Sequence, residues 1–212
     1  MALKLETTHE QLRRNLGILG VSLPIILLIY SNFHPQPSIS DFYYTNIGIV
    51  FTGVLIAFGL FLYSYRGYEK QKDEVISDNW LTNIAGILAI ATALIPTQYV
   101  ENPYSTWPPN GHNNETIGLI HLLCASGFFI IMGWMSMYRF TLSTDPAKKN
   151  RNRLYRICGI GVWVSLLFAG LSIKFDVLQV SKIDVFIYET AALWFFGTAW
   201  LIKGEALKKL GI

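Results

Sequence analysis

The sequence predicts an all-α, polytopic integral membrane protein, a bundle of six transmembrane helices, and three observations lead there. Only 15% of the 212 residues are charged, against 52% that are hydrophobic, whereas a soluble domain carries roughly 25% charge because its surface needs it. Mean hydropathy is +0.37. Six apolar runs approach the roughly 20 residues that cross a hydrocarbon core about 30 Å thick. The same composition excludes other classes. The chain is too apolar to be disordered, it lacks a collagen-like glycine period, and two cysteines cannot staple a disulfide scaffold.

Residues 1–14 are polar and mildly amphipathic, a cytoplasmic segment that begins an interfacial helix. Residues 15–203 form the membrane domain, with spans at 15–33, 45–65, 80–97, 116–140, 154–174 and 183–203, and residues 204–212 are a cytoplasmic tail. A backbone in lipid must satisfy its own hydrogen bonds, so the spans are helices. A barrel would need alternating segments of about 10 residues, and the run from Ile84 to Ile95 does not alternate. Arg13-Arg14 before the first span has the look of a twin-arginine signal. Tyr30-Ser31-Asn32-Phe33 supplies no small-residue cleavage site, so the span is expected to remain as an anchor. Pro35 and Pro37 prevent the first helix from continuing, and Ser40 or Asp41 is placed to cap the second. Ala85, Ala89 and Ala93, and the Gly17–Gly20 stretch, offer small faces for helix packing. Cys124 and Cys158 lie at different depths, which disfavours a disulfide. The long 98–115 connection contains Asn114-Glu115-Thr116, a glycosylation sequon by pattern.

Six spans put both termini and the 66–79 and 141–153 loops on one side. That side, with its helix ends, holds fifteen of the seventeen Lys and Arg residues, and only Lys174 and Lys182 lie opposite. The positive-inside rule then makes both termini cytoplasmic. The basic run 148–153 reads as an orientation signal resting on anionic headgroups, and Lys203 as a residue that snorkels to them. A net charge of +3 asks for no nucleic-acid partner. Membrane lipids are the expected partners, with a homo-oligomer or a larger membrane complex left open.

Ionisable residues inside a span are costly and mark functional sites by default. His121 lies roughly 6 Å below the outer end of the fourth span and Glu189 roughly 9 Å below that of the sixth, at 1.5 Å per residue. Asp41, preceded by Ser38 and Ser40, stands at the head of the second helix on the same side. Ser40, Asp41, His121 and Glu189 are therefore the candidate ligand-binding residues. Asp41, His121 and Glu189 are also the candidates for catalysis, with a carboxylate as base and His121 as proton shuttle, or for holding a divalent metal. No other cofactor is implied. A single intramembrane histidine cannot make a bis-histidine haem site, and neither a glycine-rich phosphate loop nor a G-x-S-x-G elbow is present. The plainer alternative is that His121 and Glu189 hydrogen-bond each other or a neighbouring helix carbonyl and fix helix register, with Asp41 a helix cap.

Several of these residues occur in a recognisable order: Ser38-Ile39-Ser40-Asp41, Ala85-Gly86-Ile87 through Ile95-Pro96-Thr97, Ile120-His121-Leu122-Leu123-Cys124-Ala125-Ser126-Gly127-Phe128-Phe129, and Tyr188-Glu189 with Trp194. In this the chain, from about residue 20 to 205, resembles the DUF998 family of six-helix prokaryotic membrane proteins, and more loosely the Frag1/DRAM/Sfk1 group, which shares the Ile-Ser-Asp element. The resemblance implies a six-helix bundle in a bacterial inner membrane, in which Asp41, His121 and Glu189 act as a set, and its eukaryotic side points toward lipid handling. Phe42-Tyr43-Tyr44 departs from the pattern, which has a small residue after the aspartate. The expected function is the binding of a lipid or small amphiphile in a polar pocket open to the non-cytoplasmic side. The alternatives are a metal-assisted intramembrane lipid hydrolase and an accessory subunit whose polar residues only lock packing.

Overall fold

A computed structural model of the chain describes residues 8–67, 76–98, 114–142, 148–175 and 181–205. Among them are six α-helices and no strand: α1 Thr8–Tyr30, α2 Gly48–Ser64, α3 Asp78–Leu94, α4 Glu115–Trp134, α5 Lys149–Lys174 and α6 Asp184–Lys203, with a 3₁₀ turn at Ser40–Tyr44 and a π-turn at Met135–Arg139 that prolongs α4. Most of the 98–115 connection, including His112, lies outside the described residues.

The helix limits have local causes, and some differ from the sequence expectation. α1 stops at Tyr30, short of the prolines, because Asn32 and Phe33 take the left-handed conformation (φ 51° and 61°). The Phe33 N–H then bonds back to the Leu28 carbonyl, a left-handed helix ending. α2 starts only at Gly48, and neither Ser40 nor Asp41 caps it; its cap position is Ile47, without a side-chain bond. α3 ends at Leu94 because Ile95, which precedes Pro96, is extended (φ −92°, ψ 118°), as the proline ring requires of its neighbour. α4 is capped by Asn114, whose side-chain oxygen accepts from the Thr116 and Ile117 N–H groups. α5 begins five residues before the expected 154 and takes the basic run into its first turns.

The helices form a closed up-and-down ring in which each packs on its neighbours in the chain and α1 packs on α6. Two crossings depend on glycine. A Cβ on Gly17 would sit 2.8 Å from the Gly197 carbonyl oxygen, and one on Gly59 would sit 2.7 Å from that of Gly86, so α1 meets α6 and α2 meets α3 backbone to backbone. Inside the ring, Phe58 meets Phe196 edge-on at 5.3 Å, and Trp200 packs against Tyr65 and Phe140 at 5.1 Å each. Ala85, Ala89 and Ala93 are buried, as their spacing predicts. Outside, large apolar side chains such as Ile49, Leu123 and Leu167 are exposed along the helices. Four helical stretches, Glu10–Tyr30, Glu115–Arg139, Lys149–Lys174 and Asp184–Lys203, are long and apolar enough to cross a membrane. α2 is apolar but, like α3, has 17 residues, or about 25 Å of helix. The protein is thus an all-helical chain of membrane-protein character.

One end of the ring, which we term the basic end, carries Arg13, Arg139, the start of α5 and Lys203. Three of these cations have partners within the bundle: the Arg13 guanidinium lies 5.4 Å from the ring centre of buried Tyr65. Arg139 forms a buried ion pair with Asp78 at the start of α3. Lys203 does not simply reach outward; its ammonium lies 5.0 Å from the Phe140 ring centre and 5.9 Å from that of Tyr155, a cation–π seat. Cys124 and Cys158 are free thiols.

Candidate functional site

The opposite end is closed by the segment between α1 and α2. Residues 37–44 dip into the mouth of the ring and cap it, and nearly every polar group of interest is tied to them. Ser38 and Asp41 form a reciprocal turn. The Ser38 N–H and hydroxyl donate to Asp41 Oδ2 at 2.9 and 2.8 Å, and the Asp41 N–H donates to Ser38 Oγ at 3.0 Å. This is capping-box logic applied to a 3₁₀ turn. Phe42 is buried against Phe186 of α6, ring centres 6.0 Å apart, so the aromatic residue after Asp41 anchors the cap in the bundle.

Three other elements hold this cap. From α6, the Phe186 N–H, left without a partner in a first helical turn, donates to the Pro37 carbonyl at 2.9 Å. Glu189, one turn further on, accepts from the Ile39 N–H at 2.6 Å. From α4, His121 Nε2 stands 2.9 Å from Ser40 Oγ, and its Nδ1 stands 2.6 Å from the Ile95 carbonyl oxygen. That carbonyl is available because Pro96 ends α3 there. Beyond the proline, the Thr97 carbonyl accepts from Tyr44 Oη at 2.5 Å. Burial pushes the Tyr44 phenol up to about 12 and Asp41 up to about 6, the latter against the opposing pull of its two Ser38 bonds.

The structure therefore brings the four sequence-predicted residues to one short segment, but not to one cavity. Ser40 and Glu189 line a small interior cavity of about 30 Å³ between the helices, walled by Leu23, Phe51, Ala89, Thr92, Phe128 and Leu193 among others. Asp41 instead lines a vestibule of about 420 Å³ on the outer side of the cap, between α4, the end of α5 and the start of α6. His121 stands behind the cap and lines neither. Glu115, Lys182 and Gln98 of the vestibule wall are absent from the sequence-based set. The signal for Lys182 was its rarity, as one of two basic residues on that side, and Glu115 was readable only as a helix-start acid. His34 is exposed in the connection after α1.

Among the described residues no three His, Cys, Asp or Glu side chains group to hold a metal ion. Both His121 ring nitrogens face protein partners, and each carboxylate accepts from the cap backbone. A metal on Asp41, His121 and Glu189 would have to replace those bonds.

Fold and site together define a helical bundle with several membrane-length apolar helices and a hydrogen-bonded cap at one mouth. No protein-family model, curated protein or solved structure matches the chain.

Proposed function

We propose that the protein is a six-span membrane protein with both termini cytoplasmic, and that it binds the headgroup of a small amphiphile or lipid in the vestibule on the non-cytoplasmic side. The vestibule itself carries this reading. Its 420 Å³ suits a headgroup, and its wall combines charge of both signs, Asp41 and Glu115 with Lys182, and apolar flanks from Leu119, Leu122, Ile173 and Val185. An amphiphile has that division, and a zwitterionic headgroup complements that charge pattern. The resemblance to the DUF998 family, and the bacterial inner membrane it implies, belong to the same proposal.

The test is thermal unfolding of the chain in maltoside micelles with a short-chain zwitterionic phospholipid or its anionic phosphoglycerol counterpart. Ligand at a hundred times its Kd stabilises by about 2.7 kcal/mol. The zwitterionic lipid should raise the midpoint, the anionic one should raise it less, and Lys182→Glu, which leaves only acids on the wall, should weaken both responses and the anionic one most. Equal effects of both lipids on both proteins would refute the reading. A second reading, an accessory protein whose polar residues lock the cap, is favoured by the protein partners that Asp41, His121 and Glu189 already have. It predicts no lipid response and a loss of stability when these residues are changed.

A further inference from the structure

The Ser40–His121 pair holds a chemistry that headgroup binding does not use. Both side chains are buried, and Oγ stands 2.9 Å from Nε2. The ring's other nitrogen, Nδ1, faces the Ile95 carbonyl at 2.6 Å. A carbonyl only accepts, so the single proton of a neutral ring sits on Nδ1 and the Nε2 lone pair faces the serine hydroxyl. A hydroxyl, a base beside it and a third group that fixes the base's tautomer are the parts that activate a serine nucleophile. Ser40 also borders the interior cavity, whose 30 Å³ holds two groups of water size at about 10–15 Å³ each.

We propose that Ser40 is an acyl-accepting serine with His121 as its general base, and that it takes an acetyl-sized group from a carboxylic ester. Ser40 Oγ bonds to the acyl carbon while its proton passes to His121 Nε2. The ester C–O bond breaks, and the departing alcohol takes that proton. Water then adds to the acyl-serine, giving a proton to Nε2 that returns to Ser40 Oγ as the carboxylic acid leaves. The short acyl group follows from the cavity, which is far too small for a fatty chain; the alcohol part of the ester exceeds it too, so it stays outside the cavity and departs from there. This proposal uses the interior face of the cap and stands or falls independently of what the vestibule binds.

The experiment treats the full chain in nanodiscs with p-nitrophenyl acetate and maps acyl adducts by peptide mass spectrometry. Ser38 is the internal control, a less buried hydroxyl two residues away that bonds to a carboxylate instead of an imidazole. An acetyl adduct on Ser40 and not on Ser38 is expected. His121→Gln should slow its formation by a factor on the order of 10² or more, the usual contribution of a general base. Ser40→Ala should remove the adduct, and p-nitrophenyl palmitate should leave none on Ser40. The proposal is overturned by a wild-type protein without a Ser40 adduct, by equal labelling of Ser38 and Ser40, or by an unchanged rate in His121→Gln. Labelling by the palmitate ester would overturn the acetyl-sized preference. If His121→Gln does not fold, the Ser40-against-Ser38 comparison in the wild type decides alone.

Discussion

Replacing Asp41 by Asn should stabilise the protein, and should do so only above mildly acidic pH. Asp41 is 8% exposed, and burial moves its carboxyl from an ordinary 3.8 to about 6 even though Ser38 donates to it twice. Below pH 3.8 the acid is protonated in both the folded and the unfolded chain, and the stability linked to it is fully present. As pH rises toward 6 the unfolded chain releases its proton before the folded one does, so stability falls. Above pH 6 the loss is complete. At 1.36 kcal/mol per pH unit the loss is roughly 3 kcal/mol. An asparagine does not titrate, and its side-chain oxygen can accept both Ser38 bonds, although a neutral acceptor makes them weaker by roughly 1 kcal/mol in total. The net expectation is a gain of roughly 2 kcal/mol at pH 8, or about 4–8 °C for a chain of this size. At pH 4 little or no gain is expected. Unfolding midpoints in micelles, followed by circular dichroism from pH 4 to 8 for both proteins, measure it. If Asp41→Asn melts lower at pH 8, or if the two proteins share one pH profile, the burial argument is wrong. A gain in stability accompanied by loss of the zwitterionic lipid response would mean that the ionised carboxylate is kept at the vestibule for its use there, the usual tension between stability and function.

Three further outcomes follow from other parts of the bundle. Asp78→Ala or Arg139→Ala leaves a buried charge without its ion-pair partner and should cost about 3–5 kcal/mol in chemical denaturation, whereas Asp78→Leu with Arg139→Met should recover most of it. Gly17→Val places carbon 2.7 Å from the Leu201 backbone nitrogen and should lower stability by at least about 1–3 kcal/mol in micelle melts; Gly53→Ala, with no atom within 4 Å, should be neutral or stabilising by up to about 1 kcal/mol. Glu189→Ala leaves the Ile39 N–H without its acceptor and should cost about 1–3 kcal/mol, while Glu189→Gln, which can still accept that bond, should lose much less; protection of the Ile39 amide in hydrogen exchange reports the same contrast.

The helices were legible in the sequence because burial of apolar surface is written residue by residue, and the limits of α3, α4 and α6 fall within a few positions of the apolar runs. What failed was local chemistry that serves a non-local purpose. Ser40 and Asp41 read as caps for α2 because they precede it, but Ser38-x-x-Asp41 closes on itself, and α2 starts later without a side-chain cap. Arg139 was legible only as one of the basic residues counted for orientation, yet its partner Asp78 comes from another helix and the pair is buried.

His121 and Glu189 were legible as costly residues at matching depth, which suggested one shared pocket; the structure ties both to the 37–44 segment instead and lines the interior cavity with Glu189 but not His121. Their partners were not legible, because these are backbone groups, and a backbone group has no residue type to read. The Ile95 carbonyl is open to His121 because Pro96 cannot continue α3, and that open carbonyl sets which His121 nitrogen faces Ser40. A proline just beyond the end of one helix thus determines the chemistry offered to a serine outside it, through an acceptor that every residue possesses. Histidine, serine and proline were each visible alone, and only the fold makes them one unit. The difference between a register lock and a reactive serine lies in that unit, so the Ser40 adduct experiment decides it where residue identities do not.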